Sequence, residues 1–594
     1  MAAKRKKSEK GKGADAYLRL IEIGIALSAE RDHNRLMERI LLEAKDLCNA
    51  DGGTLYLVED DKSLKFEIMR TDTLKIALGG TTGKEITFPP VRLYDPKTGE
   101  PNHKNVATHV ALSGNTINIP DAYKAEYFDF SGTKKFDEGI GYRSRSFLTV
   151  PLINHAGDVI GVLQLLNAQD GKSGAVIPFS AEIQPLVEAL TSQAAMSLDN
   201  QHLIESQKHL LNSFIELIAS AIDAKSHYTG GHCQRVPELT KMLVGAACES
   251  RDPLYRDFDL TEEEWYELHI AAWLHDCGKV TTPEYVVDKA TKLETIYDRI
   301  HEIRTRFEVA KRDAEIDYLK AMLDGKGDAK ALKKTRNECL AQLDDDFVFV
   351  AECNIGGEFM APERIERIKK IAEQTWTRTL DDRLGISQAE KKRRGLTPEK
   401  PLPVEEGLLV DKEEHIIHRE PGDAQTDSNP FSFKLDMPEH TYNLGEVYNL
   451  CIARGTLTTE ERFKVNDHMV QTIVMLEQLP FPKHLRRVPE YAGGHHETMI
   501  GTGYPRKLSK DDMSIPARIM AIADIFEALT AADRPYKPSK TLSESIRIMS
   551  SMKEDQHIDA DLFRLFLESG VYKDYAERFL MPEQIDEVDI SHYL

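Results

Sequence analysis

Three ionisable residues that stand inside apolar helical sequence constrain the fold most strongly. His275 and Asp276 end the largely apolar run 268–274, and Asp524 lies in the middle of the apolar run 519–526. Burying an unpaired carboxylate is costly, and coordination to a divalent cation offsets that cost. The apolar pattern also runs straight through Asp524, which argues against a helix N-cap there. Both runs therefore predict buried helices that carry metal ligands, although His275 and Asp276 alone also fit a satisfied core pair.

A pair of adjacent histidines adds to this pattern. His495 and His496 begin the glycine-rich run HHETMIGTGYP, which ends at residue 505. Neutral imidazole suits iron, manganese or zinc, and adjacent histidines can each serve one of two metal ions. We therefore expect two divalent metal ions, iron or manganese first, with zinc, magnesium or nickel as alternatives.

Composition limits the class of protein. The chain has 594 residues, 41% hydrophobic and 29% charged, which is the balance of folded globular proteins and leaves room for two or three domains. A net charge of −21 argues against binding a nucleic acid polymer. The seven cysteines are scattered, and no window approaches the ~18 apolar residues of a membrane-spanning helix. We expect a cytoplasmic protein that is not inserted in a membrane, with a disordered basic tail over residues 1–14.

Residues 15–200 show the pattern of an α+β domain. Apolar residues at helical spacing predict a helix over 17–47, residues 53–58 predict a strand, and residues 146–152 and 159–167 predict a hairpin joined by a tight turn. This order resembles the GAF sensory domain, and the resemblance implies an antiparallel sheet with flanking helices.

The segment before that hairpin further resembles the phosphate- and purine-binding segment of GAF domains that bind cyclic nucleotides. The resemblance implies a small ligand such as a cyclic nucleotide. The candidate contacts are Phe136, Asp137, Arg143 and Arg145. A GAF domain without a ligand, in a structural or dimerising role, is the alternative.

A helical seam follows this domain. Met196, Leu203, Leu210 and Leu217 recur every seven residues, which is the spacing of a coiled coil. We expect a connecting signalling helix over 196–222 that pairs two chains in a homodimer and transmits the state of the N-terminal domain. Alternatively, the last helix of one domain and the first helix of the next share this pattern.

From residue 214 onward the pattern is nearly all helical. Residues 309–454 lack any catalytic constellation, and we interpret them as an insertion whose helices can form a protruding hairpin or a partner surface. The insertion separates residues 210–308 from residues 455–594. The predicted fold is thus an α+β domain followed by an all-α helical bundle with a large insertion.

Residues 275–279, HDCGK, together with residues 495–505 resemble the HD-GYP family, a branch of the HD phosphohydrolases that cleaves cyclic di-GMP. The resemblance covers residues 210–308 and 455–550, and the second motif is highly specific. It implies an HD-type bundle with a dinuclear metal centre in which Asp276 bridges the two ions. The implied metal ligands are His232, His275, Asp276, His468, His495, His496 and Asp524.

One implied ligand has a competitor. In the family, a Leu-Thr-x-Glu-Glu pattern precedes a ligand histidine on a helix. His468 lies eleven residues after Leu457, as in the family, whereas His301 lies eight residues after Leu293. We therefore expect His468 to be the ligand and His301 to be an exposed helical residue.

The chain departs from the family pattern at two positions. Ser226 stands where the family usually has an acidic residue, and Tyr228 stands where members with three metal ions place a glutamate. We therefore expect two metal ions rather than three.

The resemblance also implies a reaction. Cyclic di-GMP would be hydrolysed to linear pGpG, with further cleavage to GMP as an open question, by a hydroxide held between two cations about 3.5–4 Å apart. The catalytic candidates are His275, Asp276 and Lys279. The candidates for substrate contact are Lys279, Gly501, Gly503, Tyr504, Pro505, Arg518 and Arg534. Lys279 can neutralise phosphate charge or be a surface lysine, and Arg518 can equally pair with an acidic residue on a neighbouring helix.

Two other functions stay open. The C-terminal module can bind the dinucleotide without turnover, as a receptor that presents the insertion to a partner. It can also hydrolyse another cyclic dinucleotide or a nucleotide monophosphate ester. The presence of all seven ligand positions favours an enzyme, a metal-dependent phosphoric diester hydrolase.

Overall fold

The computed structural model describes residues 18–225, 231–420, 429–532 and 539–594. The chain divides after Leu211 into two compact units. The basic tail predicted over residues 1–14 lies outside the described residues. Within the described ranges, no helix combines the length and the apolar character needed to cross a membrane.

The first unit is built on an antiparallel sheet of eight strands. They are β1 Ala50–Val58, β2 Ser63–Thr71, β3 Ile76–Gly79, β4 Val91–Arg92, β5 Ile117–Ile119, β6 Phe147–Ile153, β7 Val159–Gln169 and β8 Val176–Ile177. The order is β3-β2-β1-β7-β6-β5, with β4 paired to β2 and β8 paired to β7. The predicted strand corresponds to β1 and the predicted hairpin to β6 and β7, and the predicted α+β fold is confirmed.

Helices cover both faces of this sheet. They are α1 18–29, α2 His33–Cys48, α3 Val106–Ser113, α4 Ser131–Ile140 and the first part of α5 Gln184–Lys225. On one face, Ile40 of α2 and Val187 of α5 belong to the same buried cluster as Leu55 of β1. Because side chains alternate along a strand, the next residue, Tyr56, points to the other face and clusters with Val110 of α3.

The single helix predicted over 17–47 is wrong, because the chain forms two helices there. Asp32 caps α2, and its side chain accepts a hydrogen bond of 2.7 Å from the N–H of Arg35. A short acidic side chain that binds backbone N–H groups favours a helix start over a helix interior. The apolar periodicity continues across this break and conceals it.

The long helix α5 contains the whole connecting segment predicted over 196–222. The side chains of Met196, Leu203, Leu210 and Leu217 are exposed, by 43%, 44%, 56% and 64%. Exposed apolar residues at seven-residue spacing support the coiled-coil interpretation. The homodimer itself stays a prediction.

The second unit is mostly helical, in agreement with the prediction. Its helices are α6 His232–Glu249, α7 Glu262–Leu274, α8 Glu284–Val287, α9 Ile300–Leu323, α10 Ala329–Asn354, α11 Pro362–Ala372, α12 Gln388–Arg394, α13 Glu446–Leu450, α14 Thr459–Glu477, α15 Val488–Gly493, α16 Ile515–Thr530, α17 Leu542–Glu554, α18 Ala560–Glu568 and α19 Val571–Phe579. The main core gathers side chains from α6, α7 and α16 to α19, among them Val236, Ile270, Ile522 and Phe563.

The stretch interpreted as an insertion has a hydrophobic cluster of its own. The helices α9 and α10 pack together as a hairpin, with an ion pair of 2.6 Å between Lys311 and Asp344. Phe307, Val350 and Leu408 are buried in the cluster between these helices and the residues that follow them. The exact boundaries of the insertion stay a prediction.

Two short antiparallel ladders in this stretch correct the nearly all-helical prediction. The strand β9 Thr375–Arg378 pairs with β10 Val404–Gly407, and β11 Ile416–His418 pairs with β12 His440–Asn443. Threonine, tryptophan, valine and isoleucine favour extended backbone. Strands of three or four residues are too short for alternating hydrophobicity to distinguish them from loops.

Candidate metal centre

The His275-Asp276 turn follows directly from the buried helix α7. Asp276 leads into a short 3-10 turn, Cys277–Thr281. The N–H of Gly278 donates a hydrogen bond of 2.9 Å to Oγ1 of Thr472 on α14. A Cβ atom at Gly278 would clash with the main chain of His468 and Thr472. The absence of a side chain at Gly278 therefore lets this turn pack directly on α14, next to His468.

The side chain of His468 points from α14 toward Asp276. Its Nε2 atom lies 3.3 Å from Oδ1 of Asp276. His301, on α9, is exposed, and its Nδ1 atom lies 2.6 Å from a guanidinium nitrogen of Arg304. The structure therefore brings His468 to Asp276 and leaves His301 outside, and the role of His468 as a ligand stays a prediction.

Three other helices position the remaining candidate ligands. His232 is the first residue of α6, and His495 and His496 follow α15. Asp524 lies in the middle of α16, whose N-cap is Ser514. Of these four candidates, all but His496 are almost completely buried.

These side chains form two groups that share one carboxylate. The first group contains His232, His275, Asp276 and Asp524, and the second contains Asp276, His468, His495 and His496. In each group, one nitrogen or oxygen atom from every residue lies within 4.8 Å of the others. The structure thus brings together all seven residues that the family resemblance implies as ligands.

The two carboxylate oxygens of Asp276 face different groups. Oδ2 lies 3.2 Å from Nε2 of His232 and 3.4 Å from Nε2 of His275. Oδ1 lies 3.3 Å from Nε2 of His468 and 3.9 Å from Nε2 of His495. Asp276 therefore stands between the two groups with one oxygen directed to each.

Hydrogen bonds orient the histidine rings. The Nδ1 atoms of His275, His468 and His495 each donate to the main-chain carbonyl three residues earlier, at 2.7 Å for His275 and 2.8 Å for His495. A carbonyl oxygen can only accept, so the proton is assigned to Nδ1. In the neutral rings, each Nε2 atom then presents a lone pair toward Asp276, as a metal ligand requires.

Buried polar atoms without a hydrogen-bond partner show whether these donor atoms fit divalent cations. Nε2 of His232, His275, His468 and His495, and Oδ1 of Asp276, are buried and make no hydrogen bond with the described residues. Buried polar atoms almost always have a partner, and each such exception requires an explanation. Imidazole and carboxylate together form a donor set suited to iron, manganese or zinc. The residues therefore fit divalent cations in both groups.

Electrostatics distinguish the two groups. In the first, burial opposes protonation, but the nearby carboxylates of Asp276 and Asp524 outweigh it, raising the pKa of His232 well above its ordinary range and that of His275 to about 9. In the second, burial lowers the pKa of His495 to about 4, and that of His496 lies well below its ordinary value. The first group thus attracts positive charge, whereas His495 and His496 in the second group are neutral imidazoles.

Lys279 lies beside the shared carboxylate. Its ammonium group forms an ion pair with Oδ2 of Asp276. Burial raises the pKa of Asp276, but Lys279 and the histidines outweigh this and hold it well below its usual range. Burial likewise lowers the pKa of Lys279, and the carboxylates of Asp276 and Asp524 raise it above its ordinary value. Lys279 is therefore a charged lysine within the centre rather than a surface lysine.

The glycine-rich run after His496 folds back over the ligand segment. A Cβ atom at Gly503 would clash with the main chain of His496 and Glu497, so a glycine is required there by the approach of the chain to itself. Gly501 adopts a positive φ of 73°. The ring of Tyr504 stacks on the ring of His496, with centroids 4.8 Å apart and planes inclined by 16°. Gly503 and Tyr504 thus pack directly against the segment that carries His496.

Glu527 is a site residue that the sequence analysis missed. Its carboxylate accepts a hydrogen bond from Nδ1 of His232 and also pairs with Arg235 at 2.6 Å. It lies on α16, three residues after Asp524, and is 1% exposed. The signal was present in the sequence, because a second acidic residue in the same apolar helix, one turn later, occupies the same face.

The predicted substrate contact Arg518 has a partner outside the two metal groups. Arg518 forms an ion pair with the buried carboxylate of Asp559. This contact favours the alternative that Arg518 pairs with a neighbouring helix. Arg534 lies outside the described residues, as do Ser226 and Tyr228, the positions that bear on a third metal ion.

The candidate ligand residues of the first unit have internal partners. The buried carboxylate of Asp137 accepts from the Tyr123 hydroxyl at 2.8 Å, and also from both the N–H and the hydroxyl of Ser144. Arg143 lies over the Tyr123 ring, 4.6 Å from its centroid. Arg145 lies 3.5 Å from a carboxylate oxygen of Asp121. The side chain of Phe136 lies outside the described residues, and the ligand assignment stays a prediction.

Comparison with known proteins supports this architecture. A family model described as a GAF domain matches residues 32–198, and one described as an HD domain matches residues 402–562. The HD match includes the last part of the stretch interpreted as an insertion.

Curated relatives match parts of the chain. It is 34% identical over 141 residues to 3′3′-cGAMP-specific phosphodiesterase 1 of Vibrio cholerae, covering 23% of this chain and 29% of that protein. It is 40% identical over 79 residues to a cyclic di-GMP phosphodiesterase of Pseudomonas aeruginosa, covering 13% and 18%. It is 29% identical over 270 residues to the dual 3′,5′-cyclic-AMP and -GMP phosphodiesterase 11 of Drosophila melanogaster, covering 40% and 16%.

The chain spans less than a third of the length of each of these relatives. The two family models match separate parts of the chain, on either side of the division after Leu211. The chain therefore contains an N-terminal segment that matches the GAF domain model and a C-terminal segment that matches the HD domain model.

Proposed function

We propose that the second unit is a phosphodiesterase that hydrolyses cyclic di-GMP to linear pGpG at a centre of two divalent cations. The observation that carries the proposal is that the two carboxylate oxygens of Asp276 face different groups of histidines. One of its oxygens faces His232 and His275, and the other faces His468 and His495. A carboxylate shared between two sets of imidazole nitrogens suits two cations rather than one.

The two groups of side chains would hold one cation each, with Asp276 common to both. When bound, such cations supply a hydroxide nucleophile at neutral pH and neutralise charge on the phosphate. The carboxyl group of Asp524 is ionised despite its burial, because His232 and His275 hold its pKa well below the usual range. The side chains therefore provide the charge and lone pairs that bind cations.

Lys279 contributes a fixed positive charge. Its ammonium group is held against Asp276, and its side chain is 27% exposed. A preorganised cation stabilises charge that develops on the non-bridging oxygens of a phosphodiester in the transition state. In this proposal Lys279 orients and stabilises the scissile phosphate beside the shared carboxylate.

Two observations support a cyclic dinucleotide as the substrate class. Residues 275–279 and 495–505 resemble the HD-GYP motifs, and two of the relatives described above are named for cyclic di-GMP or 3′3′-cGAMP. A second relative from Vibrio cholerae, 39% identical over 111 residues, is also named for 3′3′-cGAMP. This makes 3′3′-cGAMP the second candidate substrate.

The GAF domain is proposed to regulate this activity. A small ligand in the first unit, or a rearrangement of a homodimer through the exposed leucines of α5, would change hydrolysis in the second unit. The support is that α5 is one continuous helix from residue 184 to residue 225.

Product analysis tests the proposed function. Full-length protein loaded with manganese or ferrous iron is incubated with equal concentrations of cyclic di-GMP, 3′3′-cGAMP and 3′,5′-cyclic GMP, and the products are separated by chromatography. We expect linear pGpG as the main product, and none from Asp276→Ala. Tight binding of cyclic di-GMP without linear product at full metal loading would replace the enzyme with a receptor. Preferential hydrolysis of cyclic GMP would overturn the substrate class.

A further inference from the structure

The last residue of α5 contacts the turn that carries Asp276 and Lys279. The ammonium nitrogen of Lys225 lies 3.2 Å from the main-chain oxygen of Lys279 and also donates to the main-chain oxygen of Val280. These oxygens belong to the 3-10 turn Cys277–Thr281, which begins directly after Asp276. Lys225 therefore contacts the main chain of Lys279, and the side chain of Lys279 contacts the shared carboxylate of Asp276.

The chemistry of this contact favours a cation. The main-chain oxygen of Lys279 already accepts a hydrogen bond of 3.1 Å from the N–H of Thr282, so Lys225 is its second donor. Carbonyl groups at the end of a helical turn carry partial negative charge, which a charged donor neutralises. A lysine ammonium offers three donors, and a hydrogen bond from a charged donor is stronger than one from a neutral donor. The positive charge of Lys225, rather than the bulk of its side chain, makes it suited to this position.

The same turn is held on its other side by α14. Gly278 packs without a side chain against the main chain of His468 and Thr472, and donates to the Thr472 hydroxyl at 2.9 Å. The backbone of the turn and the backbone of α14 are in direct contact there, with no side chain of Gly278 between them. The contact on the α5 side passes through one long, partly exposed side chain, Lys225.

A second contact from the end of α5 reaches another ligand. The carboxylate of Asp223 accepts a hydrogen bond of 3.1 Å from the N–H of Gly231, the residue before His232. Asp223 and Lys225 lie in the last turn of α5, so this turn contacts the backbone beside His232 and beside Asp276. Both ligands belong to the first metal group.

We propose that Lys225 is a positioning residue of the metal centre, which holds the Asp276–Lys279 turn in place through its positive charge. The kinetic part of this inference rests on the proposed function. The part that concerns metal binding does not.

Two substitutions at the same position separate charge from bulk. Lys225→Met keeps the length of the side chain and removes the charge, whereas Lys225→Arg keeps the charge. Lys208→Met is the matched control, because it makes the same change at an exposed position on the same helix. The full-length protein is used throughout. Manganese affinity is measured by equilibrium dialysis. The values of kcat and KM are measured with cyclic di-GMP as substrate, and the unfolding temperature is measured by circular dichroism.

The expected result is a specific loss in Lys225→Met. Manganese affinity and kcat should each fall by about tenfold, the size typical when a residue that supports a metal ligand is lost, while KM stays within about twofold. The unfolding temperature should be unchanged. Lys225→Arg should retain most of both properties, and Lys208→Met should match the wild type.

Two results would overturn the inference. One is wild-type manganese affinity in Lys225→Met, and the other is equal loss in Lys225→Arg, which would assign the effect to packing. If the wild type hydrolyses no cyclic dinucleotide, the proposed function fails, and manganese affinity alone then decides the role of Lys225.

Discussion

Lys289 and Glu461 form an ion pair in which both side chains are almost completely buried, with exposed fractions of 1% and 3%. The ammonium nitrogen lies 2.9 Å and 2.8 Å from the two carboxylate oxygens, and 3.2 Å from the amide oxygen of Asn449. The two residues are 172 positions apart and stand on either side of the stretch 309–454. Glu461 also completes the capping box of α14, the helix that carries His468. The pair thus joins the two halves of the second unit where this helix begins.

Replacing Lys289 with Met should lower the free energy of unfolding by about 3–5 kcal/mol, because the carboxylate of Glu461 would stay buried without its cation. The double variant Lys289→Met/Glu461→Met should lose less stability, since it leaves no unpaired charge buried. Urea unfolding of metal-free protein, followed by circular dichroism, measures both. Lys334→Met removes the exposed pair with Glu338 and should change stability by less than about 1 kcal/mol. A loss in the double variant as large as in the single variant would contradict the argument.

Replacing His468 with Ala should reduce bound manganese from about two ions per chain to about one, because it removes an imidazole from the second group only. Metal analysis after dialysis measures the number of ions. His301→Ala is the matched control, since His301 is the exposed competitor from the sequence, and it should keep both ions. Retention of both ions in His468→Ala would show that His468 is not a ligand.

Replacing Glu527 with Gln should weaken manganese binding by about tenfold, because the carboxylate that orients His232 and raises its basicity becomes neutral. The stoichiometry at saturating manganese should be unchanged. Asp559→Asn, which weakens the ion pair with Arg518 on the same helix as Glu527, serves as the control and should leave manganese affinity as in the wild type. Equal effects of the two substitutions would point to a general disturbance of α16 instead.

His415 should make stability depend on pH. Burial lowers the pKa of His415 from 6.5 to about 4, so the folded protein holds this side chain neutral near pH 5. Well above pH 6.5 the residue is neutral in both states. As pH falls from there toward 4, the unfolded chain binds a proton that the folded chain does not, and the free energy of unfolding decreases.

The expected decrease from His415 is at most about 2 kcal/mol between pH 7 and pH 5. His415→Gln should remove this contribution while leaving that of other groups. Urea unfolding of both proteins at the two pH values, without metal, gives the difference. Parallel pH dependence in wild type and variant would exclude His415 as a source.

Replacing Leu203 and Leu210 with Gln should convert a homodimer into monomers, because these exposed leucines form the predicted seam of α5. Light scattering coupled to size-exclusion chromatography measures the mass. Lys208→Gln on the same helix should leave the mass unchanged. An unaltered dimer in the leucine variant would place the interface elsewhere.

Local sequence patterns accounted for much of the fold. Short apolar segments and a tight turn located β1 and the β6–β7 hairpin, and seven-residue spacing located the central part of α5. The same periodicity could not reveal the break at Asp32 between α1 and α2, because apolar residues continue across it. The ladders β9–β10 and β11–β12 were missed because each strand is too short to show a period.

Part of the candidate site could be predicted, because a charged residue inside an apolar sequence run is easily recognised. Asp524 was evident because apolar residues surround it, and His468 was preferred to His301 on spacing. Glu527 carried the same signal as Asp524 and was overlooked. Lys225 carried none, because a lysine at the end of a helix is ordinarily solvated.

By itself, the sequence marked His275, Asp276, His495, His496 and Asp524 as candidate ligands, since periodicity and the cost of burying charge are read within a few residues. The resemblance to the HD-GYP family added His232 and His468. Only the tertiary structure decided that Asp276 directs one oxygen to each group, that Glu527 orients His232, and that Lys225 contacts the turn after Asp276. The first two relationships join residues far apart in the chain, and all three depend on how helices pack. A sequence pattern restricts which face of a helix is buried, but packing sets which atoms then meet.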